Sequence, residues 1–420
     1  DANNFSGANN TAVGYIAATK MTSGGNNTIL GAYAGQEITT GGGNTALGNI
    51  ALHQNISGSN NTAIGRYAGY RILSNSNTAV GAYALHQNQN GTNNTAIGYE
   101  SLKLCEVSSN TALGHQTLKS ATSGEKNTAV GYHAGEVVTT SSTNVFVGYD
   151  AARNVTTGGN HVNIGFEANA NCRTGTGHVA IGYRALKGTS SNPLTGASCV
   201  AIGDAALRNL EGNASYLVAI GAGAAQQTTT GHCTAVGGLS LYDNTTGSDL
   251  AAFGYYSLRN NTTGVGNVGL GNYALNLNET GSYNTAVGHE AAGDSTNGYN
   301  TAVGYRALAE DTSGIYNVAI GYNAGKGDAT SGLTANNLVA VGQAAGQSLT
   351  TGSDNTFLGA GAGADVTTGY QNVYIGQDTA REQVTGYQNV IIGQDALFVG
   401  TGVNQAVAVG WEAMRNSTNG

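Results

Sequence analysis

Apolar and polar positions recur along the chain in one short phrase, Asn-Thr-Ala-Val-Gly and its variants. Aligned on the closing glycine, the phrase occurs 24 times, from Gly14, Gly31 and Gly48 to Gly376, Gly393 and Gly410. The 23 intervals are mostly 17 residues, with four of 16, one of 18 and two of 21. The residue before the glycine is apolar in all 24 copies, and the residue three before it is Thr or Val in every copy except Ala251. Alternation of such positions around a small residue predicts a strand of about five residues with period two. Thr-Thr-Gly or Thr-Ser-Gly then signals a turn, and the following Asn suits a corner.

Seventeen residues cannot hold a strand, a full helix and a return, so each copy is predicted to be one coil of a solenoid. The expected fold class is therefore all-β: a parallel β-solenoid of about 24 coils, forming one continuous domain over residues 1–420. Coils stacked at ~4.8 Å would give a rod on the order of 115 Å long. The two 21-residue intervals predict loops inserted near 187–198, which carries the sole proline, Pro193, and near 326–337. Asp1 and Asn419-Gly420 both fall mid-repeat, from which the chain is expected to be an excerpt of a longer polypeptide.

Stacking turns equivalent positions into columns, and each column can be judged by what it tolerates. The apolar column before the glycine and the Thr/Val column are expected to line the coil interior. The column between them is Ala in 17 copies but also holds Ile29, Phe146, Phe357, Tyr374 and Ile391. That spread of sizes reads as an outward face used against a neighbouring chain. The recurring glycine implies a backbone angle or close approach that a side chain would forbid. One coil buries little surface, so pairing with other copies is expected, with a homotrimer the simplest closed arrangement.

The phrase Asn-Thr-Ala-Val-Gly-Tyr-x-Ala, at 127–134 and 300–307, resembles the head repeats of trimeric autotransporter adhesins. With its Thr-Thr-Gly spacers the repeat is also similar to those of bacteriophage tail fibres. The resemblance covers essentially the whole chain. It implies a trimer of left-handed parallel β-rolls, although the period here is longer than in the adhesin heads. The chain shows no coiled-coil stalk or anchor, which favours a tail or virion fibre over a cell-surface protein.

Composition sharpens this picture. The 66 Gly and 10% charged residues alone would fit disorder, but regular apolar positions and 22 Tyr do not. The net charge of -8 is spread along the chain, leaving no footprint for nucleic acid. No apolar run approaches 18 residues, so no membrane insertion is expected in this segment.

No Ser, His and Asp recur together in one column, and no enzyme activity or cofactor is expected. Cys105 and Cys172 share a column, as do Cys199 and Cys233, each pair too far apart along the stack to bridge; partly buried thiols without disulfides are expected. His161, His178 and Cys199 follow one another in the Asn column, but parallel stacking points them the same way, predicting a surface ladder and no metal site. Aromatic residues follow the glycine in adjacent coils at Tyr132, Tyr149, Phe166 and Tyr183, and again at Tyr305 and Tyr322. Such a stripe either locks neighbouring coils or contacts glycan on a host surface. Sequons are frequent, as at Asn55, Asn154 and Asn278, and are expected from composition alone. An ice-binding solenoid would need two outward Thr columns, whereas the regular Thr here alternates with Val and is expected inside. The expected function is a structural fibre segment of a tail fibre or surface adhesin, on a virion or at the cell surface. It would act as a rigid spacer joined to adjoining fibre segments; the alternative is a bacterial surface adhesin or a self-assembling extracellular filament.

Overall fold

The computed structural model describes residues 6–229 and 231–417. Asp1 and Asn419-Gly420, expected to lie mid-repeat, fall outside the described residues. The chain is all-β, with no helix among the described residues, and it winds as a parallel β-solenoid. It divides into two compact units, Asp1–Tyr216 and Leu217–Gly420. Within each unit, every coil contributes one strand to a parallel ladder, in the register set by the repeat: Thr28 opposite Thr45, Ala46 opposite Ala63, Leu47 opposite Ile64. The second unit repeats the pattern, with Thr285 opposite Thr301 and Val287 opposite Val303. The strands are shorter than expected, mostly three residues such as Thr28–Leu30 and Thr128–Val130.

The assignment of faces is the reverse of the one expected. The Ala column points inward, with Ala46 and Ala112 at most 1% exposed, while the adjacent Leu47 and Leu113 are 42% and 45% exposed. The Thr/Val column also faces outward, as at Val145 and Val268. Ile29, Phe146, Phe357, Tyr374 and Ile391 are among the most buried side chains of the chain.

The core accepts this range of sizes because a second column, four residues after the glycine, shares the same space. Where the strand offers Ala46, Ala79, Ala96 or Ala112, that column supplies Leu52, Leu85, Leu102 or Leu118, all fully buried. Where the strand offers Ile29 or Phe357, the column shrinks to Gly35 or Gly363, and a Cβ on either glycine would lie 2.7–3.0 Å from the large side chain. Space is also traded between coils, since a Cβ at Gly346 would meet Phe357 of the next coil at 2.7 Å, and what the close-packed interior holds is the pooled volume of both columns rather than one residue size.

The phrase glycine closes each strand with φ between 125° and 144°. At Gly131 a side chain would also run into the carbonyl oxygen of Gly148 in the next coil, so conformation and close approach together exclude other residues. Non-glycine residues also take left-handed angles around the coil, for example Tyr33 at 58° and Leu52 at 47°. Each such residue costs about 1–2 kcal/mol. Inter-coil hydrogen bonds offset that cost: the Tyr33 amide donates to the Tyr15 carbonyl at 2.8 Å and the Leu52 amide to Ala68 at 3.1 Å.

The Asn column, expected at a corner, lies inside. Asn44 is fully buried; its amide N–H donates to Oδ1 of Asn27 at 2.9 Å, and its Nδ2 donates to the Gly58 carbonyl at 2.8 Å. Oδ1 of Asn44 in turn accepts the N–H of Asn61 at 2.9 Å. Each Asn thus satisfies backbone groups where the chain bends and the strand ladder stops, so its burial carries no unpaired-group penalty.

The insertions near 187–198 and 326–337 are each pinned to the stack from within. Leu194 pairs with Cys172 of the preceding coil, and Leu333 pairs with Asp311.

Candidate binding face

In the first unit the column after the glycine forms a continuous stack of rings. Tyr132–Tyr149, Tyr149–Phe166 and Phe166–Tyr183 have centroids 5.0, 5.3 and 5.2 Å apart, with planes within 13°. The stack extends backwards through His115 and Tyr99, at 5.0 and 5.2 Å. Sequence reasoning missed these two because it counted only a run of Tyr and Phe; counting any planar ring in that column finds them. Nearly parallel rings at this spacing cover one another's faces, so the stripe presents ring edges and phenol hydroxyls outward. At its upper end the Arg184 guanidinium lies 4.8 Å from the Tyr183 ring centre. Tyr305 and Tyr322 stack likewise in the second unit, at 5.3 Å, joined by His289 at 5.6 Å.

Beside the first stack runs a band of ion pairs. Lys103 and Lys119 both meet Glu100, at 2.7 and 2.9 Å. Burial by itself would raise the Glu100 carboxyl, but hydrogen bonds from Lys103, Lys119 and Gln116 outweigh it and hold the group down at about 2. Arg153 joins Glu136 of the preceding coil at 3.0 Å, and Arg184 with Lys187 joins Glu167 at 2.8 and 2.9 Å. Partly exposed pairs of this kind contribute about 0–1 kcal/mol each, so their main effect is to fix side-chain positions along the face.

Beyond the ion pairs the 187–198 loop walls a cavity of about 550 Å³, lined by Asn154, Thr156, Asn171, Arg173, Ser190 and Pro193 among others. The loop is fastened from behind: Thr189 Oγ1 donates to Glu211 at 2.7 Å, and Asn192 Nδ2 donates to the same carboxylate at 3.3 Å.

His161 and His178 do not form the expected surface ladder; both are fully buried, because the Asn column they occupy is internal. Burial lowers His161 to about 4; burial and then the neighbouring His161 lower His178 to about 3. Among the described residues no group of three His, Cys, Asp or Glu side chains is placed to hold a metal ion. The four cysteines are buried and form no disulfide. Burial pushes the Cys105 and Cys172 thiols up to about 11 and about 12, which keeps them protonated and unreactive. Of the sequons named above, Asn55 and Asn278 are fully buried and closed to modification in the folded chain. Among the described residues no helix is long and apolar enough to cross a membrane.

No protein-family model matches the chain, and no curated protein matches it. The class is therefore defined by the fold itself: a repeat-built β-solenoid.

Proposed function

We propose that the chain is a structural fibre segment, of a tail fibre or surface adhesin, that assembles as a homotrimer on a virion or cell surface and acts as a stiff spacer between adjoining segments. One observation carries this reading. The Thr/Val column and the branched aliphatic column beside it both face solvent, making an apolar stripe in coil after coil of each unit, as at Leu30, Leu47, Leu113, Leu270, Ile320 and Leu358. A soluble monomer rarely leaves so long an apolar patch uncovered. A second copy has the same stripe with the same coil spacing, and a closed ring of copies brings every stripe to one axis. The neighbour-facing column is thus the aliphatic one, in place of the Ala column first assigned to that role.

The outward Thr column removes the original reason for setting aside an ice-binding solenoid. The face nevertheless carries only one Thr column, interrupted by Val and flanked by aliphatics of unequal size. Contact with host glycan along Tyr132, Tyr149, Phe166 and Tyr183 belongs to the same proposal, and would run through ring edges and hydroxyls. No catalytic role is proposed.

The test is a native mass measurement of the full chain and of Leu47→Glu/Leu113→Glu/Leu270→Glu. Wild type is expected at three times the chain mass and the variant at the monomer mass, with unchanged circular dichroism. A monomeric wild type would overturn the assembly.

A further inference from the structure

We propose that the cavity under the 187–198 loop is a binding site for a carboxylate-bearing sugar. The site stands on one chain's own residues and requires neither the trimer nor the aromatic stripe.

The argument begins with charge. On this face Arg153, Arg184 and Lys187 are each held by a carboxylate of a neighbouring coil. Arg173, which lines the cavity, has no such partner among the described residues, and it is exposed. A guanidinium presents a planar fork of donors that matches a carboxylate in two parallel hydrogen bonds. Here the fork sits at a concave site and carries no internal counter-ion.

The remaining lining suits a polyol. Asn154, Asn171, Thr156 and Ser190 put amide and hydroxyl groups around the same space, and Pro193 with Val137 adds apolar surface for the C–H face of a ring. The amides are held in position: Asn154 Nδ2 donates to Asn171 Oδ1 at 2.9 Å, and Asn171 Nδ2 donates to the Gly188 carbonyl at 3.1 Å. Thr156 Oγ1 donates to the Arg173 carbonyl at 2.9 Å, fixing the backbone beneath the guanidinium. The Glu211 clamp on Thr189 and Asn192 holds the loop in place before any ligand arrives, which lowers the ordering cost of binding. A volume of about 550 Å³ lies within the roughly 300–1,000 Å³ usual for small-molecule sites. Aromatic stacking, the usual grip on a neutral sugar, is absent from this lining, so the charge must supply the selectivity.

The experiment is ligand-observed NMR titration of the full chain with four probes: a sialylated trisaccharide, a glucuronate-terminated disaccharide, a sulfated disaccharide and lactose. Both carboxylated probes are expected to bind at least about tenfold more tightly than lactose, a difference of about 1.4 kcal/mol. Arg173→Ala is expected to abolish that preference, and Arg173→Lys to restore part of it, since Lys keeps the charge but loses the fork. Lactose binding as tightly as the acidic sugars, or a preference that survives Arg173→Ala, would overturn the site. Binding of the sulfated probe with both carboxylated ones silent would overturn the carboxylate assignment, as would silence from all four.

Discussion

The backbone N–H of His178 donates to Nδ1 of His161 at 3.2 Å, while the two rings stack with centroids 5.2 Å apart. Nδ1 thereby takes over the task that Oδ1 of Asn144 performs one coil earlier, where it accepts the N–H of His161 at 2.9 Å. A ring whose Nδ1 accepts must be neutral, with its proton on Nε2. In His161 that atom lies near the Gly175 carbonyl but falls short of a full hydrogen bond.

Acid should therefore weaken the first unit. Both rings titrate below the ordinary histidine value, so below about 6.5 the unfolded chain binds protons that the folded chain refuses, and stability falls as pH drops from there towards 4. The loss is on the order of 3 kcal/mol for His161 alone. Chemical denaturation at pH 7 and pH 4.5 measures it. His161→Asn/His178→Asn, which restores the residue usual in this column, should flatten the acid slope; an unchanged slope would place its origin elsewhere.

Asp311 should act with the opposite sign in the second unit. It is fully buried; burial raises its carboxyl to about 7, although the Gly314 N–H donates to Oδ1 at 2.8 Å and Asn300 Nδ2 donates to Oδ2 at 3.0 Å. The folded state holds a proton that the unfolded state has already released, so stability falls as pH rises from about 4 to 7. Asn88, in the same column, makes paired hydrogen bonds with Gly91 as donor and acceptor, so an amide fits there. Asp311→Asn is expected to raise the denaturation midpoint at pH 8, by a stability gain on the order of a few kcal/mol, and to leave it nearly unchanged at pH 4.

The phrase glycine should be irreplaceable where other glycines are not. Gly131→Ala combines a φ of 136° with a collision against the Gly148 carbonyl, and should cost on the order of 3 kcal/mol or more. At Gly293 an added Cβ would meet nothing nearer than 3.5 Å, and Gly293→Ala should be close to neutral. Thermal melts of the two variants compare them directly.

Neighbouring residues of one strand should respond in opposite ways to the same charge. Ala112→Glu puts an unpaired carboxylate into the coil interior and should prevent folding of its coils. Leu113→Glu faces solvent and should leave the circular dichroism of the chain intact. If both variants lose structure equally, the assignment of faces is wrong.

How far the candidate face was readable follows the same division. Tyr132, Tyr149, Phe166 and Tyr183 were visible as a column because stacking follows directly from the period, and the structure brings their rings together. Arg173, Asn154 and Asn171 were not: Asn154 and Asn171 sit in a column with no regular residue type, Arg173 stands where the first Thr of the Thr-Thr-Gly turn recurs, and the three become a cavity only when the inserted loop folds back over them. The left-handed angles at residues such as Tyr33 and Leu52 were equally hidden, since neither residue type signals that conformation.

The amino-acid sequence by itself determined the coil length, the register of every rung and the places where loops interrupt the stack, because a residue repeated at a fixed interval must lie over its own copies. It did not determine which side of the rung is the inside. A strand with period two has two faces, and Val or Leu on one and Ala on the other fits either orientation. Only the tertiary structure decided it: the interior is a shared volume filled jointly by the strand and by the residue four places after the glycine, as Ala46 with Leu52 and Ile29 with Gly35 demonstrate. Small residues therefore went inside beside Leu, and the branched aliphatics were left facing out.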